Sequence, residues 1–347
     1  MRTVALVKGR PAGLTAGTSA LLSLVVFCSP AVAQTPQVRL AAATDCPDNV
    51  NCIPGFRRVY GIDPTSLFTP LTVADTGVQA LDDGRAEVAV AFSSNPQLSR
   101  PDILTLADDK RMISDDHIVP VVRAAVLRRY GRPLRRRLNA ASAILSTLEL
   151  RGLNQQVIDG RLPEAVGGEF ADANALGGPA PRRRAGPRIR IGFQSFDENE
   201  TLAHYYAAAL RGAGFRVTVR ETGLRPATVR AMRRSRIDMW PGYGGSLRGY
   251  LAAGSLKAGL KRIGARALKR SPAQDRNGFA MKRDVARSLG VSKLSDLARY
   301  WPSAATGARA RAAQEDGGGT VGAEGGEPRQ RDQWAFASGS VLDVPAA

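Results

Sequence analysis

Two series of alternating strand and helix signals, separated by a Gly/Pro/Arg-rich segment at 177–187, constrain the fold of this chain most strongly. In the first series, apolar runs such as 87–92 alternate with segments of helical periodicity. In the second, apolar runs such as 188–193 alternate with amphipathic helices as far as 302. Strands that alternate with helices form parallel-rich sheets with helices on both faces. The sequence therefore predicts an α/β protein of two lobes, each built on its own sheet.

The predicted organisation combines these two lobes with an exported N-terminus and an unstructured C-terminus. The parts are a signal peptide at 1–33, one lobe at 38–124, helices at 125–176, a linker at 177–187, the other lobe at 188–302 and a disordered tail at 303–347. The tail is assigned from its Gly, Ala, Arg and Glu content, which offers little apolar surface to bury.

The N-terminus has the three regions of a cleaved signal peptide. Basic residues precede an apolar stretch at 14–27, and Ala31-Val32-Ala33 forms a small-residue cleavage site. We therefore expect a mature chain that begins at Gln34 and is secreted or held in the cell envelope.

Cys46 and Cys52 are the cysteines expected to remain in the mature chain. In an exported protein, two cysteines so close together most often form a local disulfide. Metal binding is the alternative, but no His or second Cys pair lies nearby to complete a tetrahedral set. We expect a disulfide and no metal.

The formal net charge is +18, which raises the possibility of nucleic-acid binding. The arginines cluster at 135–137 and 182–184 without interleaved aromatic residues, and no nucleic-acid-binding motif accompanies them. A solvated basic surface, attracted to anionic cell envelopes, is the alternative that we favour. No nucleic-acid partner is expected.

Catalytic motifs are missing from the sequence. His117 and His204 are the two histidines, and no G-x-S-x-G, P-loop or H-E-x-x-H motif occurs. We expect neither an enzyme nor a cofactor.

Four segments of the second series resemble a known family. Residues 191–199 read I-G-F-Q-S-F-D-E-N, similar to the I-G-S-K-N-F-T-E-Q of the substrate-binding proteins of glycine betaine, choline and carnitine ABC importers. Residues 237–246 resemble that family's I-D-L-Y-P-E-Y-T-G-T, 277–281 its N-T-Y-A-L and 294–297 its I-S-D-L. In the family these motifs belong to the first ligand-binding lobe.

Five segments of the first series resemble the remainder of the same family. They match P-G-L-K-K-A-Y-G, A-Y-S-T-D, D-D-K, P-V-V-R and M-R-E-L-N at 54–61, 91–95, 108–110, 120–123 and 150–154. The resemblance implies that 38–124 is the second ligand-binding lobe and that 125–176 holds helices returning to the first lobe.

The resemblance implies a type II periplasmic-binding-protein fold whose lobes occur in reverse order. Such an order is a circular permutation joined at the linker 177–187, which is feasible because domain termini often lie close together. A domain-swapped pair of chains and a fragment of a longer tandem protein remain alternatives.

The resemblance also implies a cleft that binds a quaternary ammonium ion. Such a cation donates no hydrogen bonds and binds to aromatic faces between the lobes. Tyr243 matches the tyrosine of P-E-Y-T-G-T, and Trp240 and Phe92 would add faces unless they belong to the core. Polar contacts are expected from the loops that follow the strands, at Gln194, Ser195, Ser93, Asn95 and Asn277.

Two departures from the family pattern affect the expected ligand. A tyrosine of the family's P-P-Y stretch is replaced by Asp116, which would bind a cation by charge. Asn49 occupies a position where the family often has an Arg that grips a carboxylate. Both changes favour a cation without a carboxylate, such as choline.

The leading hypothesis is a monomeric extracytoplasmic solute-binding protein. It would capture choline, glycine betaine or a similar osmoprotective quaternary ammonium compound for an ABC permease. The alternative is a secreted sensor or scaffold of the same fold that is not coupled to transport.

Overall fold

The computed structural model describes residues 36–72, 76–178 and 187–305. The predicted signal peptide, most of the linker and all but three residues of the tail lie outside these ranges. The strands are β1 Leu40–Ala43, β2 Phe68–Leu71, β3 Val88–Phe92, β4 Ile103–Thr105, β5 Ile118–Arg123, β6 Arg188–Phe193, β7 Arg216–Glu221, β8 Met239–Tyr243, β9 Ala265–Ala267 and β10 Asn277–Lys282.

Helices of very different length connect these strands. They are α1 Ile53–Gly55, α2 Gly77–Asp82, α3 Ala124–Ile144, α4 Thr147–Ile158, α5 Pro163–Ala173, α6 Asp197–Gly212, α7 Arg225–Arg233, α8 Gly244–Tyr250, α9 Leu256–Arg262 and α10 Arg283–Leu289. A π-helical turn, Phe56–Tyr60, continues α1, and α3 is kinked at Gly131, where φ is +52°. Across the described ranges, none of the helices is both long and apolar enough to cross a bilayer.

The strands form two five-stranded sheets with the same internal order. Sheet A is ordered β2-β1-β3-β10-β4 and sheet B β7-β6-β8-β5-β9. In each sheet the first three strands pair in parallel, and the fourth is antiparallel to both of its neighbours. This arrangement confirms the predicted two-lobed α/β fold with parallel-rich sheets flanked by helices.

The two sheets exchange one strand each. β5 follows β4 along the chain but lies in sheet B, between β8 and β9. β10 follows β9 but lies in sheet A, between β3 and β4. We call sheet A with its covering helices lobe A, and sheet B with its covering helices lobe B. The chain therefore crosses between the lobes twice, at 114–117 and at 274–276.

The strand exchange corrects the predicted lobe boundaries. Ile118–Arg123 was assigned with 38–124, and 277–302 with 188–302, but each pairs with the other lobe. Strand propensity identifies a strand and not its partner, and these partners are far apart in the chain: Ile118 pairs with Tyr243, and Asn277 with Phe92.

Helices α3, α4 and α5 pack on lobe B around α6. Leu134, Leu138 and Leu150 are buried there against Tyr205 and Tyr206. The Tyr205 hydroxyl donates a 2.9 Å hydrogen bond to the carbonyl oxygen of residue 141. These helices thus complete the core on one face of sheet B.

An aromatic cluster joins the beginning and the end of lobe A. The ring centroid of Phe56 lies 4.8 Å from that of Phe279 and 4.9 Å from that of Trp301. The indole nitrogen of Trp301 donates a 2.7 Å hydrogen bond to the Val38 carbonyl oxygen. The segment after β10 therefore belongs structurally to lobe A.

Two short strands went unrecognised in the sequence, and both lie at sheet edges. β2 contains Pro70, which lacks the N–H of a central strand and is compatible with an edge. β9 has three residues. Such elements carry too little periodicity for recognition by pattern.

Candidate ligand-binding site

The carboxyl ends of the parallel strands in both sheets face the two crossover segments. In sheet A this edge contains Phe92, at the end of β3, and Asn277, which pairs with it. In sheet B it contains Tyr243, at the end of β8, and Ile118, which pairs with it. Because side chains just beyond such strand ends line crevices in α/β proteins, the cleft lies between these edges.

Tyr243 is anchored by the first turn of α6. Its hydroxyl donates a 2.7 Å hydrogen bond to Oε1 of Glu198, and its ring centroid lies 6.0 Å from that of Phe196. Asn199 fixes this turn, because its side chain accepts from the Gln194 N–H at 2.8 Å and donates to the residue 241 carbonyl at 2.9 Å. The loop after β6 and the end of β8 are thereby held together.

Asn154 of α4 bridges the two lobes. Its amide donates to Oε2 of Glu198 at 2.7 Å and to the Ser94 carbonyl oxygen at 3.1 Å. The Ser94 hydroxyl in turn donates to Oδ1 of Asp275 at 2.7 Å. A continuous set of polar contacts thus runs from Tyr243 in lobe B to the loop after β3 in lobe A.

Three carboxyl groups converge on this region, and burial raises the pKa of each. Burial raises the pKa of Glu198, and that of Asp275 is raised well above its usual value by burial and by the charge of Glu198. The pKa of Asp116 is raised to about 6, again mainly by burial. Burial thus favours the neutral form of the carboxyl groups in this acidic cluster, and an added positive charge beside them would stabilise their ionised form.

Asp116 also organises the start of α8. Its Oδ1 accepts from the N–H groups of Gly245 at 2.7 Å and Ser246 at 3.2 Å. The aspartate therefore secures the helix that follows Tyr243, a structural role beside the charge-based role predicted for it.

A cavity of about 380 Å³ adjoins the acidic cluster. Its polar wall includes Ser93, Gln274, Arg276, Asn277 and Arg151. Ser93 precedes Ser94 in the chain, and Gln274 and Arg276 flank Asp275. The cavity wall and the acidic cluster are therefore adjacent along the chain, but none of the three carboxyl groups lines the cavity.

Arg151 gives this cavity a positive side. Its Nε donates a 2.8 Å hydrogen bond to the Ser93 carbonyl oxygen, and burial lowers its pKa. Within the part of the chain that the structure describes, no acidic side chain forms an ion pair with it. Arg276, by contrast, lies 3.7 Å from Oδ1 of Asp115. Arg151 is thus a partly desolvated cation beside the cavity.

The structure brings together most, but not all, of the predicted site residues. Ser93 and Asn277 line the cavity. Tyr243, Asp116 and Gln194 lie near the carboxyl-end edge of sheet B but are buried, and Tyr243 also belongs to the core of lobe B. Phe92 is half-buried at the corresponding edge of sheet A, beside Ser93.

Three predicted residues have other roles. Trp240 is 2 % exposed and packs in the core on one face of sheet B with Val121 and Leu247, so it belongs to the core rather than the cleft. The Asn95 side chain accepts from the residue 97 N–H at 2.9 Å and caps a 3₁₀ turn. Ser195 is exposed, and its hydroxyl donates to Glu221.

The disulfide expected between Cys46 and Cys52 is present, with Cα atoms 5.3 Å apart. Both cysteines are buried in the core of lobe A. Over the described ranges, no group of three or more His, Cys, Asp or Glu side chains is placed to hold a metal ion.

Four residues of the cleft were not recognised in the sequence. Arg151 and Asn154 lie within the family-like segment 150–154, and Glu198 lies within 191–199, so a signal existed for these three. Asp275 lies two residues before Asn277 but outside any motif. Its role depends on the second crossover, which no local pattern revealed.

Two sheets of identical strand order, linked by two crossovers and separated by a polar cleft, define a two-lobed solute-binding protein. The family described as the substrate binding domain of the ABC-type glycine betaine transport system matches residues 40–173 and 187–324. The chain belongs to this family. The two matched parts lie on either side of the linker, and their reversed order remains a prediction.

Solved structures of low identity are similar to this chain over most of their length. Apo YehZ from Escherichia coli is 12 % identical, with 81 % of this chain and 99 % of that chain covered and a TM-score of 0.36. A phosphate-binding protein of a Streptococcus pneumoniae ABC transporter is 8 % identical, with 72 % and 90 % covered and a TM-score of 0.38. At these TM-scores they identify no ligand for this chain. No curated protein matches it significantly.

Proposed function

We propose that the protein captures a quaternary ammonium compound between lobes A and B and delivers it to an ABC importer. Membership of the glycine betaine family supports this role. The observation that carries it is the contact of Tyr243 with Glu198 beside Asp275, because it combines an aromatic ring with buried carboxyl groups.

The positive end of the ligand belongs beside Tyr243. A quaternary ammonium group is weakly hydrated and donates no hydrogen bonds, so ring faces and nearby negative charge are its natural partners. Phe196 provides further apolar surface beside Tyr243, and the half-buried Phe92 lies at the corresponding edge of sheet A. Tyr243 is 4 % exposed and packs in the core of lobe B, so its ring has to be uncovered by a movement of the lobes before a ligand can contact it.

The positive charge of Arg151 favours a ligand that also carries a carboxylate. A guanidinium group without an acidic partner binds carboxylate oxygens strongly in a poorly solvated site. The sequence had favoured choline because Asn49 stands where the family often has an Arg, but Arg151 supplies such a group from α4. Glycine betaine and carnitine therefore become the preferred ligands over choline.

Calorimetric titration of the purified protein tests this proposal. Glycine betaine should bind more tightly than choline, and glycine should bind weakly. Glycine is the matched control, because it shares the carboxylate but has a primary ammonium group. Absence of binding to glycine betaine, carnitine and choline at millimolar concentration would reject the ligand class.

Export and transport coupling belong to the same proposal. The family and fold are those of solute-binding proteins rather than of enzymes. We expect the N-terminal segment 1–33 to be removed during export, which N-terminal sequencing of the secreted protein would test. Genes for a permease and an ATPase beside this gene would support delivery to an importer, and their absence would favour a sensor or scaffold.

A further inference from the structure

A second cavity lies at the edge of sheet B opposite the cleft. It has a volume of about 770 Å³ and is formed where β6 and β7 begin and β5 ends. Five arginines line it: Arg123, Arg129, Arg188, Arg190 and Arg216. We call this cavity the arginine groove.

Asp238 is the acidic residue in the lining of the arginine groove. Its carboxylate accepts from Arg123 Nη2 at 2.6 Å and from Arg190 Nε at 2.9 Å. Burial alone would raise the pKa of Asp238, but these hydrogen bonds outweigh it and lower that pKa. Arg123 and Arg190 therefore share one carboxylate, and with Arg129 and Arg188 the groove keeps a positive excess.

The exposure of two of these arginines makes this excess available to a ligand. Arg129 and Arg188 are exposed, and the guanidinium carbon of Arg129 lies 5.4 Å from the centroid of the Tyr130 ring, which supports it from one side. The groove thus presents guanidinium groups that are exposed and, at Arg129, held in position by a neighbouring ring.

We propose that the arginine groove is a second binding site, for an anion with several phosphate groups. Guanidinium groups match phosphate oxygens with paired hydrogen bonds. A single phosphate would neither fill the groove nor balance its charge, whereas a chain of phosphates would do both. β6 runs from Arg188 at the groove to Phe193 at the cleft, a separation of about 17 Å at the usual rise of a strand. The two sites are therefore separate.

Titration of the full chain with tripolyphosphate at fixed ionic strength tests this site. The double variant Arg129→Gln/Arg188→Gln should weaken tripolyphosphate binding by at least about tenfold, because two charge-assisted contacts are lost. The control variant Arg58→Gln/Arg287→Gln removes the same charge from exposed positions of lobe A and should change binding less than about twofold. Glycine betaine binding serves as an independent readout and should be the same in all three proteins.

A second arm distinguishes a soluble phosphate chain from a lipid headgroup. Vesicles of phosphatidylcholine with cardiolipin, whose headgroup carries two phosphates, are added to the same three proteins in a sedimentation assay. Probe binding that is lost in Arg129→Gln/Arg188→Gln but kept in the control variant supports the site. Binding of tripolyphosphate alone assigns a soluble phosphate chain, and binding of the vesicles alone assigns a lipid headgroup. Equal losses in the groove and control variants, or binding of neither probe, would overturn the proposal.

Discussion

The hydroxyl of Tyr243 donates its hydrogen to Glu198, at an oxygen–oxygen distance of 2.7 Å. Burial and the charges of Glu198 and Asp275 raise the pKa of Tyr243 well above its usual value, so the hydroxyl stays protonated. The hydroxyl is thus already engaged by the protein. The ring itself is buried in the core of lobe B, so we propose that a cationic ligand contacts it only when the lobes have moved apart.

Replacement of Tyr243 should separate the role of the ring from that of the hydroxyl. Tyr243→Phe keeps the ring and should retain affinity within about fivefold, whereas Tyr243→Ala should lose at least about tenfold, since cation–π contacts contribute up to about 2 kcal/mol. Tyr206→Phe is the control, because it removes a buried hydroxyl that lies 3.0 Å from Ser142 in the core of lobe B. Calorimetry would contradict the ring's role if the Phe and Ala variants bound equally weakly.

Replacement of Arg151 should change ligand preference rather than abolish binding. Arg151→Met should weaken glycine betaine binding about tenfold or more, because a charge-assisted contact to the carboxylate is lost. Choline lacks the carboxylate, so its affinity should change little. The ratio of the two dissociation constants is the measurement, with the exposed Arg128→Met as control. An unchanged ratio would remove Arg151 from ligand recognition.

Asp116 should make the protein less stable as pH rises from about 4 to about 6. Its pKa of about 6 in the folded protein exceeds the ordinary value of 3.8, so the folded state retains a proton that the unfolded state has released. Asp116 alone therefore lowers the free energy of unfolding across this window by about 3 kcal/mol.

Urea unfolding between pH 4 and 7.5 would measure this effect. Asp116→Asn keeps an oxygen for the Gly245 N–H and should be more stable than the wild type at pH 7. It should reduce the slope, while Glu198 and Asp275, whose pKa values are also raised, keep their contributions. The neighbouring Asp115 is exposed, so Asp115→Asn should keep the wild-type slope. The same slope in both variants would show that Asp116 is not the titrating group.

Gly245 should not tolerate a side chain. A Cβ atom there would lie 2.2 Å from the Asp115 carbonyl oxygen, so the first crossover and Asp116 would have to move. Gly245→Ala should lower the free energy of unfolding by about 1–3 kcal/mol. On the same helix, a Cβ at Gly249 would meet no atom within 4 Å. Gly249→Ala should therefore be neutral or stabilising by up to about 1 kcal/mol. Chemical unfolding of both variants checks the contrast.

The fold could be predicted from the sequence as far as local pattern extends. Apolar runs such as Val88–Phe92 are typical of strands buried on both faces, and they identified the α/β class. The partners of β5 and β10 could not be predicted in this way, because each pairs with a strand more than a hundred residues away. The lobe boundaries were wrong for this reason.

The candidate site was predictable where a motif carried it. Tyr243 could be predicted from its motif. Trp240, three positions earlier in the same strand, lies on the opposite face of sheet B and packs in the core there, because the side chains of a strand alternate between its two faces. Arg151 and Asp275 both contact the loop after β3, because a helix and a crossover converge there. Their proximity is a property of the tertiary structure and leaves no periodic trace in the sequence.

The exchange of β5 and β10 makes each lobe an incomplete unit by itself. If the chain were divided between the lobes, the position between β3 and β4 would stand open in one fragment, and that between β8 and β9 in the other. Each gap would expose unpaired backbone groups on both sides, which invites aggregation. Each half should therefore be soluble only when the two are produced together, because each half carries the strand that fills the gap in the sheet of the other. A split-protein complementation assay could be built on this dependence.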